Sequence, residues 1–272
     1  MRRFAWMLVL LAAAPAPASR DGDRLGALAQ AVLAADYRAD RAALERLDAE
    51  LGRLPDGPQS EYRDYWRGFA LWRRAINGFN ATPTPEDLAA DLEKALSRFE
   101  ASRRKKPEWM EARLAMVGCW GNLLFLAGKD VERRQELLKD ALPDFRYLMQ
   151  NAGDNPRALW IKGGMEMSAP PPTGGDFAKA AATLEHGVAC AWREALGPAV
   201  PAWEPRWGGP ENLMDLAYLY SHSPQPDRRA AMAYAQGAAT AVPSWHYVRE
   251  VLIPQIEALP PAAPAAAAPA AP

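Results

Sequence analysis

Large apolar residues recur along this chain three and four positions apart, and almost nowhere at alternate positions. Tyr62, Tyr65, Trp66, Phe69, Trp72 and Ile76 fall on one face of a helix. So do Leu88, Leu92, Ala95, Leu96 and Phe99, and again Leu138, Ala141, Leu142, Phe145 and Met149. Helix starts are marked as clearly. Thr84-Pro85-Glu86-Asp87 supplies a cap, a proline at the first helical position and acids in the first turn. Asn155-Pro156 does the same, and Asp130, Asp176, Asp227 and Ser244 read as single-residue caps. The pattern predicts about eleven helices and no strand, an all-α protein.

The caps reveal a repeat. Counted from Thr84, Asp130 and Asp176, a leucine stands eight positions on in each case: Leu92, Leu138 and Leu184. Eleven positions on comes a small residue (Ala95, Ala141, Gly187), and twelve on an aliphatic one (Leu96, Leu142, Val188). The period is about 46 residues, and Asp227 starts a weaker copy with Ala235, Ala238 and Ala239. Each of these helices follows another, near 60–78, 107–127, 155–168 and 210–222. The predicted unit is a helical hairpin, with an additional pair at about 22–53 and a closing helix at about 244–258. A small residue at the same place in each unit lets a neighbouring backbone come close, as a stacked array requires.

These residues resemble the tetratricopeptide-repeat family. Ala180, Leu184 and Gly187 match its second helix, and Ala231, Ala235 and Ala238 before Pro243 do so more loosely. Trp160, Gly163, Gly164 and Met167, and then Leu213, Leu216, Ala217 and Tyr220, match the first. The likeness spans residues 107–243 and departs from the family in its longer repeat. It implies a right-handed solenoid of antiparallel helical hairpins with a concave groove lined by the first helix of each unit. The segment Pro170–Lys179, PPPTGGDFAK, also looks like a turn in exported bacterial helical-repeat proteins, among them a component associated with periplasmic solute transport.

The two ends read differently. Arg2 and Arg3, the apolar run Phe4–Ala14 and the small residues Ala16-Pro17-Ala18 have the order of a cleavable export signal, residues 1–18. The apolar run is too short to cross a bilayer, so the expectation is an exported chain, periplasmic or secreted, without an integral membrane span. Residues 19–258 form the predicted helical domain, and 259–272, nearly all alanine and proline, a disordered tail. Loss of the signal leaves 30 basic against 33 acidic residues, a balance that argues against a nucleic-acid partner. Arg103-Arg104-Lys105-Lys106 sits where cations complement a helix C-terminus.

Little in the sequence has the spacing of catalytic chemistry. His186, His222 and His246 are not spaced as metal ligands, and neither a Gly-x-Ser-x-Gly elbow nor a complete phosphate loop occurs. No catalytic residue, metal ligand or cofactor is assigned. Cys119 and Cys190 are expected to be two buried thiols, with a disulfide as the alternative.

Tryptophan is the more informative residue, ten in all. Trp203 and Trp207 lie in an irregular insertion, Gly197–Gly209, GPAVPAWEPRWGG, that either pins itself to the helices or closes over a ligand. In the register of the resemblance, Trp66, Arg73, Asn122, Met165 and Tyr218 face the groove. The leading expectation is therefore a non-enzymatic scaffold that binds a protein or peptide partner in that groove. The alternative is a small-molecule-binding accessory protein of envelope solute transport, with Trp203 and Trp207 at its pocket.

Overall fold

The computed structural model describes residues 20–81, 84–169 and 175–260. The expected export signal, nearly all of the Ala/Pro tail and residues 170–174 of PPPTGGDFAK lie outside them. Among the described residues every regular element is helical: α1 (Arg20–Tyr37), α2 (Arg41–Leu51), α3 (Ser60–Gly78), α4 (Pro85–Lys105), α5 (Met110–Leu126), α6 (Val131–Asn151), α7 (Pro156–Ser168), α8 (Phe177–Ala195), α9 (Gly209–His222), α10 (Arg228–Ala241) and α11 (Ile253–Glu257). A π-helical turn, Tyr247–Leu252, leads into α11. Pro254 has no N–H for the carbonyl four residues back, and its ring crowds that carbonyl, so the coil ahead of it is widened. No described helix is long and apolar enough to cross a membrane.

The caps do what their chemistry requires. Asp130 accepts from the Arg133 amide at 2.9 Å, Asp176 from Lys179 at 3.0 Å and Asp227 from Ala230 at 2.9 Å. Asn155 accepts from two amides, Arg157 and Ala158, and Thr84 from Asp87. Ser244 does not cap: it sits in a turn, and the closing helix begins at His246 without a side-chain cap.

Each helix packs on the next in sequence, and α1, α3, α5, α7 and α9 also touch one another in succession. That row of odd-numbered helices is the frame on which the site is built. α3 is its centre, burying Tyr65, Trp66, Phe69, Trp72 and Arg73 together. The row also meets itself: the Tyr37 hydroxyl at the end of α1 donates to Glu211 of α9 at 2.8 Å, and its ring packs edge-on to Trp245. Close approach is made with small residues. A Cβ on Gly118 would stand 2.2 Å from the Trp72 ring, and one on Gly187 2.3 Å from Asn212 Oδ1.

Most of the apolar and small positions counted from the caps are buried in three of the four helices, with Val188 of α8 only half-buried. Leu92, Ala95 and Leu96 are buried in α4, Leu184 and Gly187 in α8, and Ala235, Ala238 and Ala239 in α10. In α6 the buried face is Leu137, Ala141, Asp144 and Leu148, so the helix is turned by about one residue from expectation. Leu142 and Met149 are exposed. The turned helix brings Asp144 onto Arg113 of α5 at 2.8 Å.

Candidate functional site

A cavity of about 560 Å³ opens along the odd-numbered row. α3 contributes Arg73, Ile76 and Asn77, which share one face at three- and four-residue spacing, with Phe79 and Asn80 just beyond its end. α5 adds Asn122 and Phe125, α7 Trp160 and Met167, and α9 Met214, Asp215 and Tyr218. Trp245 and Tyr247, from the segment that opens the closing helix, complete the wall. Six aromatic rings and two methionines thus surround a few polar groups, the composition of a small-molecule site.

Arg73 is the most constrained of those polar groups. Only 4% of it is exposed, and its Nε donates to Asp36 Oδ2 at 2.7 Å. Asn77 holds Asp36 from the other side, donating to Oδ1 at 2.9 Å. The guanidinium lies 5.5 Å from the centre of the Trp160 ring, and the rings of Phe69 and Trp72 flank it. Burial opposes its charge, but Asp36, Glu211 and Tyr37 outweigh that and hold its pKa above the usual arginine value. Its Nη1 has no hydrogen-bond partner in the protein. The indole nitrogen of Trp160, also buried, has Asp215 as its nearest acceptor. The Arg73 Nη1 is therefore a buried donor left unpaired beside the cavity, a state that costs free energy unless an acceptor arrives.

Asp215 is the acid of the site. Burial, reinforced by the nearby charge of Glu211, pushes its pKa up to about 7, against the pull of Arg73 and the Trp160 indole. Burial likewise raises Tyr247 to about 12, so its phenol is neutral at physiological pH. Asn122 Oδ1 accepts from Trp72 Nε1 at 2.9 Å, which orients the amide. The site can donate from Arg73, Trp160 and Asn122, and can donate or accept at Asp215.

The insertion 197–209 packs on α1 and α3 away from the cavity mouth. Trp66 Nε1 donates to the carbonyl of Trp203 at 2.7 Å, Gln30 donates to the carbonyl of Ala202, and the Tyr62 hydroxyl donates to Glu204. Trp207 is 2% exposed; its Nε1 donates to the Tyr65 hydroxyl at 2.9 Å, and its ring packs against Phe69, Trp72 and Trp160. The segment is a plug over α1 and the first half of α3.

Of the residues singled out from sequence, Arg73, Asn122 and Tyr218 meet in the cavity. Trp66 is fully buried under the plug, and Trp207 is core behind Trp160. Trp203 packs partly buried against the core and lines a separate surface depression with Leu54 and Arg63. Met165 packs against the core, and Met167, two residues on, lines the cavity instead. Asp215, Trp245 and Tyr247 were not anticipated. For Asp215 a signal existed: it stands three residues before Tyr218, on the same helical face.

Both cysteines are buried and free, and burial pushes the Cys119 thiol well up. Cys190 differs, because Arg193 Nη2 lies 3.0 Å from its sulfur, a positive neighbour one helical turn away that had not been expected. No family model, no curated protein and no solved structure matches the chain.

Proposed function

We propose that this protein is a binding protein built as a tetratricopeptide-like solenoid, and that its ligand is a small amphipathic organic molecule. The succession of contacts from α1 to α9 along the odd-numbered helices supports the solenoid reading. The single observation that carries the ligand reading is the aromatic cavity beside a buried Arg73 with an unpaired Nη1. The ligand's flat apolar body lies against Trp160, Tyr218, Trp245 and Tyr247, and an acceptor-bearing end reaches Arg73 and Asn122. With the export signal read from the sequence, the setting is the cell envelope.

Between the two ligand classes expected from sequence, the small molecule gains ground. An extended peptide needs a continuous groove, and the 197–209 plug already lies over the stretch around Trp66. Thermal shift of the mature protein against aromatic and aliphatic carboxylates, sugars and lipids tests the proposal. A stabilising carboxylate whose effect disappears in Tyr218→Ala is the expected result. No stabilisation by any of them, with capture of a peptide instead, would return the protein to the scaffold reading.

A further inference from the structure

At the edge of the buried face of α8, three side chains converge that take no part in the cavity. His186 and Cys190 are four residues apart, one turn of the same helix, so their side chains share a face. Asp154 reaches them from the turn between α6 and α7. Its Oδ1 is 2.8 Å from His186 Nε2, and that same Nε2 is 3.5 Å from Cys190 Sγ. All three atoms lie within 4.8 Å of one another.

The chemistry of this cluster is that of a ligand set and not of a nucleophilic triad. A triad uses the two ring nitrogens of its histidine for two different partners. Here a single nitrogen faces both the sulfur and the carboxylate, as donors do around a shared ion. Zinc–sulfur and zinc–nitrogen bonds of about 2.3 and 2.05 Å at a tetrahedral angle put the two ligand atoms about 3.6 Å apart. The observed 3.5 Å already has that spacing. The carboxylate, exposed and on a turn, need only withdraw by about half an ångström to reach the nitrogen–oxygen separation of the same geometry. Cys190 is 3% exposed, while His186 and Asp154 are open to solvent, so an ion would enter from the solvent side onto a sheltered sulfur.

A cation is already drawn to this position. Arg193 Nη2 lies 3.0 Å from Cys190 Sγ and 3.3 Å from Asp154 Oδ2. Its side chain is 61% exposed and free to swing away, whereas Arg157 and Arg206 on the same rim are tied to Glu111 and Glu194. We propose that Asp154, His186 and Cys190 form a binding site for a borderline-soft divalent metal ion, zinc by its donors, with water in the fourth position and Arg193 standing in for the ion in its absence. A thiolate and an imidazole select zinc over calcium or magnesium, which take oxygen ligands. The proposal is independent of the cavity and survives if that reading fails.

Cobalt(II) titration of the untagged, metal-stripped full chain tests it, because a cobalt–thiolate bond gives a charge-transfer absorption in the near ultraviolet. The expected result is a saturable band at one equivalent, displaced by zinc, absent in Cys190→Ser and retained in Cys119→Ala. Arg193→Gln removes the competing charge and should tighten binding by about threefold or more. Zinc should also raise the melting temperature of the wild type and of Arg193→Gln, and not that of Cys190→Ser. No band in the wild type, a band that persists in Cys190→Ser, or weaker binding by Arg193→Gln overturns the proposal.

Discussion

α3 presents two successive stretches to the inside of the molecule, and they end differently. Around Tyr62, Tyr65, Trp66 and Phe69 the 197–209 insertion lies on the helix, and every polar atom it meets there is answered: the Trp66 indole by a carbonyl, the Tyr62 hydroxyl by Glu204, the Trp207 indole by Tyr65. One turn later, at Arg73, Ile76 and Asn77, the helix borders the cavity and not the insertion, and the buried Arg73 keeps an unpaired nitrogen. Aromatic surface is plentiful in both stretches. What differs is the polar pattern within it. In the covered stretch the polar atoms pair inside the chain; in the other, aromatic rings stand beside an unpaired donor, the mixture that a ligand site requires.

The largest test of that contrast removes a ring from the closed stretch. Trp207→Ala should cost about 3–5 kcal/mol in urea unfolding, the range for deleting a buried aromatic. A loss as small as that of a surface substitution would mean the plug is merely laid on the helices.

The next effect is read through pH. In the folded protein Asp215 titrates at about 7, above the ordinary carboxyl value of 3.8. The folded state therefore holds this proton when the unfolded chain has lost it, and stability from this group is full below about pH 4 and lost as pH rises to about 7. Asp215→Asn removes the dependence. The variant should match the wild type at pH 4 and exceed it by about 1–3 kcal/mol at pH 8. A difference between the two that stays constant with pH would show that its surroundings do not raise the Asp215 pKa.

Smaller again is Trp66→Phe, which keeps most of the ring and loses the N–H to Trp203. About 1 kcal/mol should go, with the carbonyl left unpaired under the plug. The smallest change in stability belongs to the open stretch. Tyr218→Ala should cost about 1 kcal/mol or less, because its ring is only partly buried and stacks on His222 at the edge of the cavity, and its effect should appear in ligand binding instead. If Tyr218→Ala destabilised as much as Trp207→Ala, the two stretches would be one core.

The helices were legible because their signals are local. Caps such as Asp130 and Asp227 need only the next turn, and the apolar face of α4 is written in Leu92, Ala95 and Phe99 themselves. The face of α6 was misjudged by one residue because Leu137 and Leu138 are equally apolar, and the choice rests on Asp144 meeting Arg113 from another helix. The site was legible in part. Arg73, Asn122 and Tyr218 follow from a helical register, which is local once the family resemblance supplies it. Trp245 reaches the cavity because Tyr37, more than two hundred residues earlier, packs against it, and no local pattern encodes that meeting. Trp66 and Trp207 show the converse: both look like binding aromatics in sequence, and each turns out to be the other element's packing partner.

The central claim is that the stretch from Arg73 onward is an open site for a flat, acceptor-bearing molecule. Anilinonaphthalene sulfonate, an aromatic anion that brightens when desolvated, is a direct probe of it. Titrated into the folded full chain, it should bind at one saturable site, with emission shifted to the blue. Binding should weaken at least about tenfold in Tyr218→Ala, a loss of about 1.4 kcal/mol, while Trp203→Ala leaves it unchanged. A probe that fails to saturate, or that binds Tyr218→Ala as well as the wild type, would contradict the account.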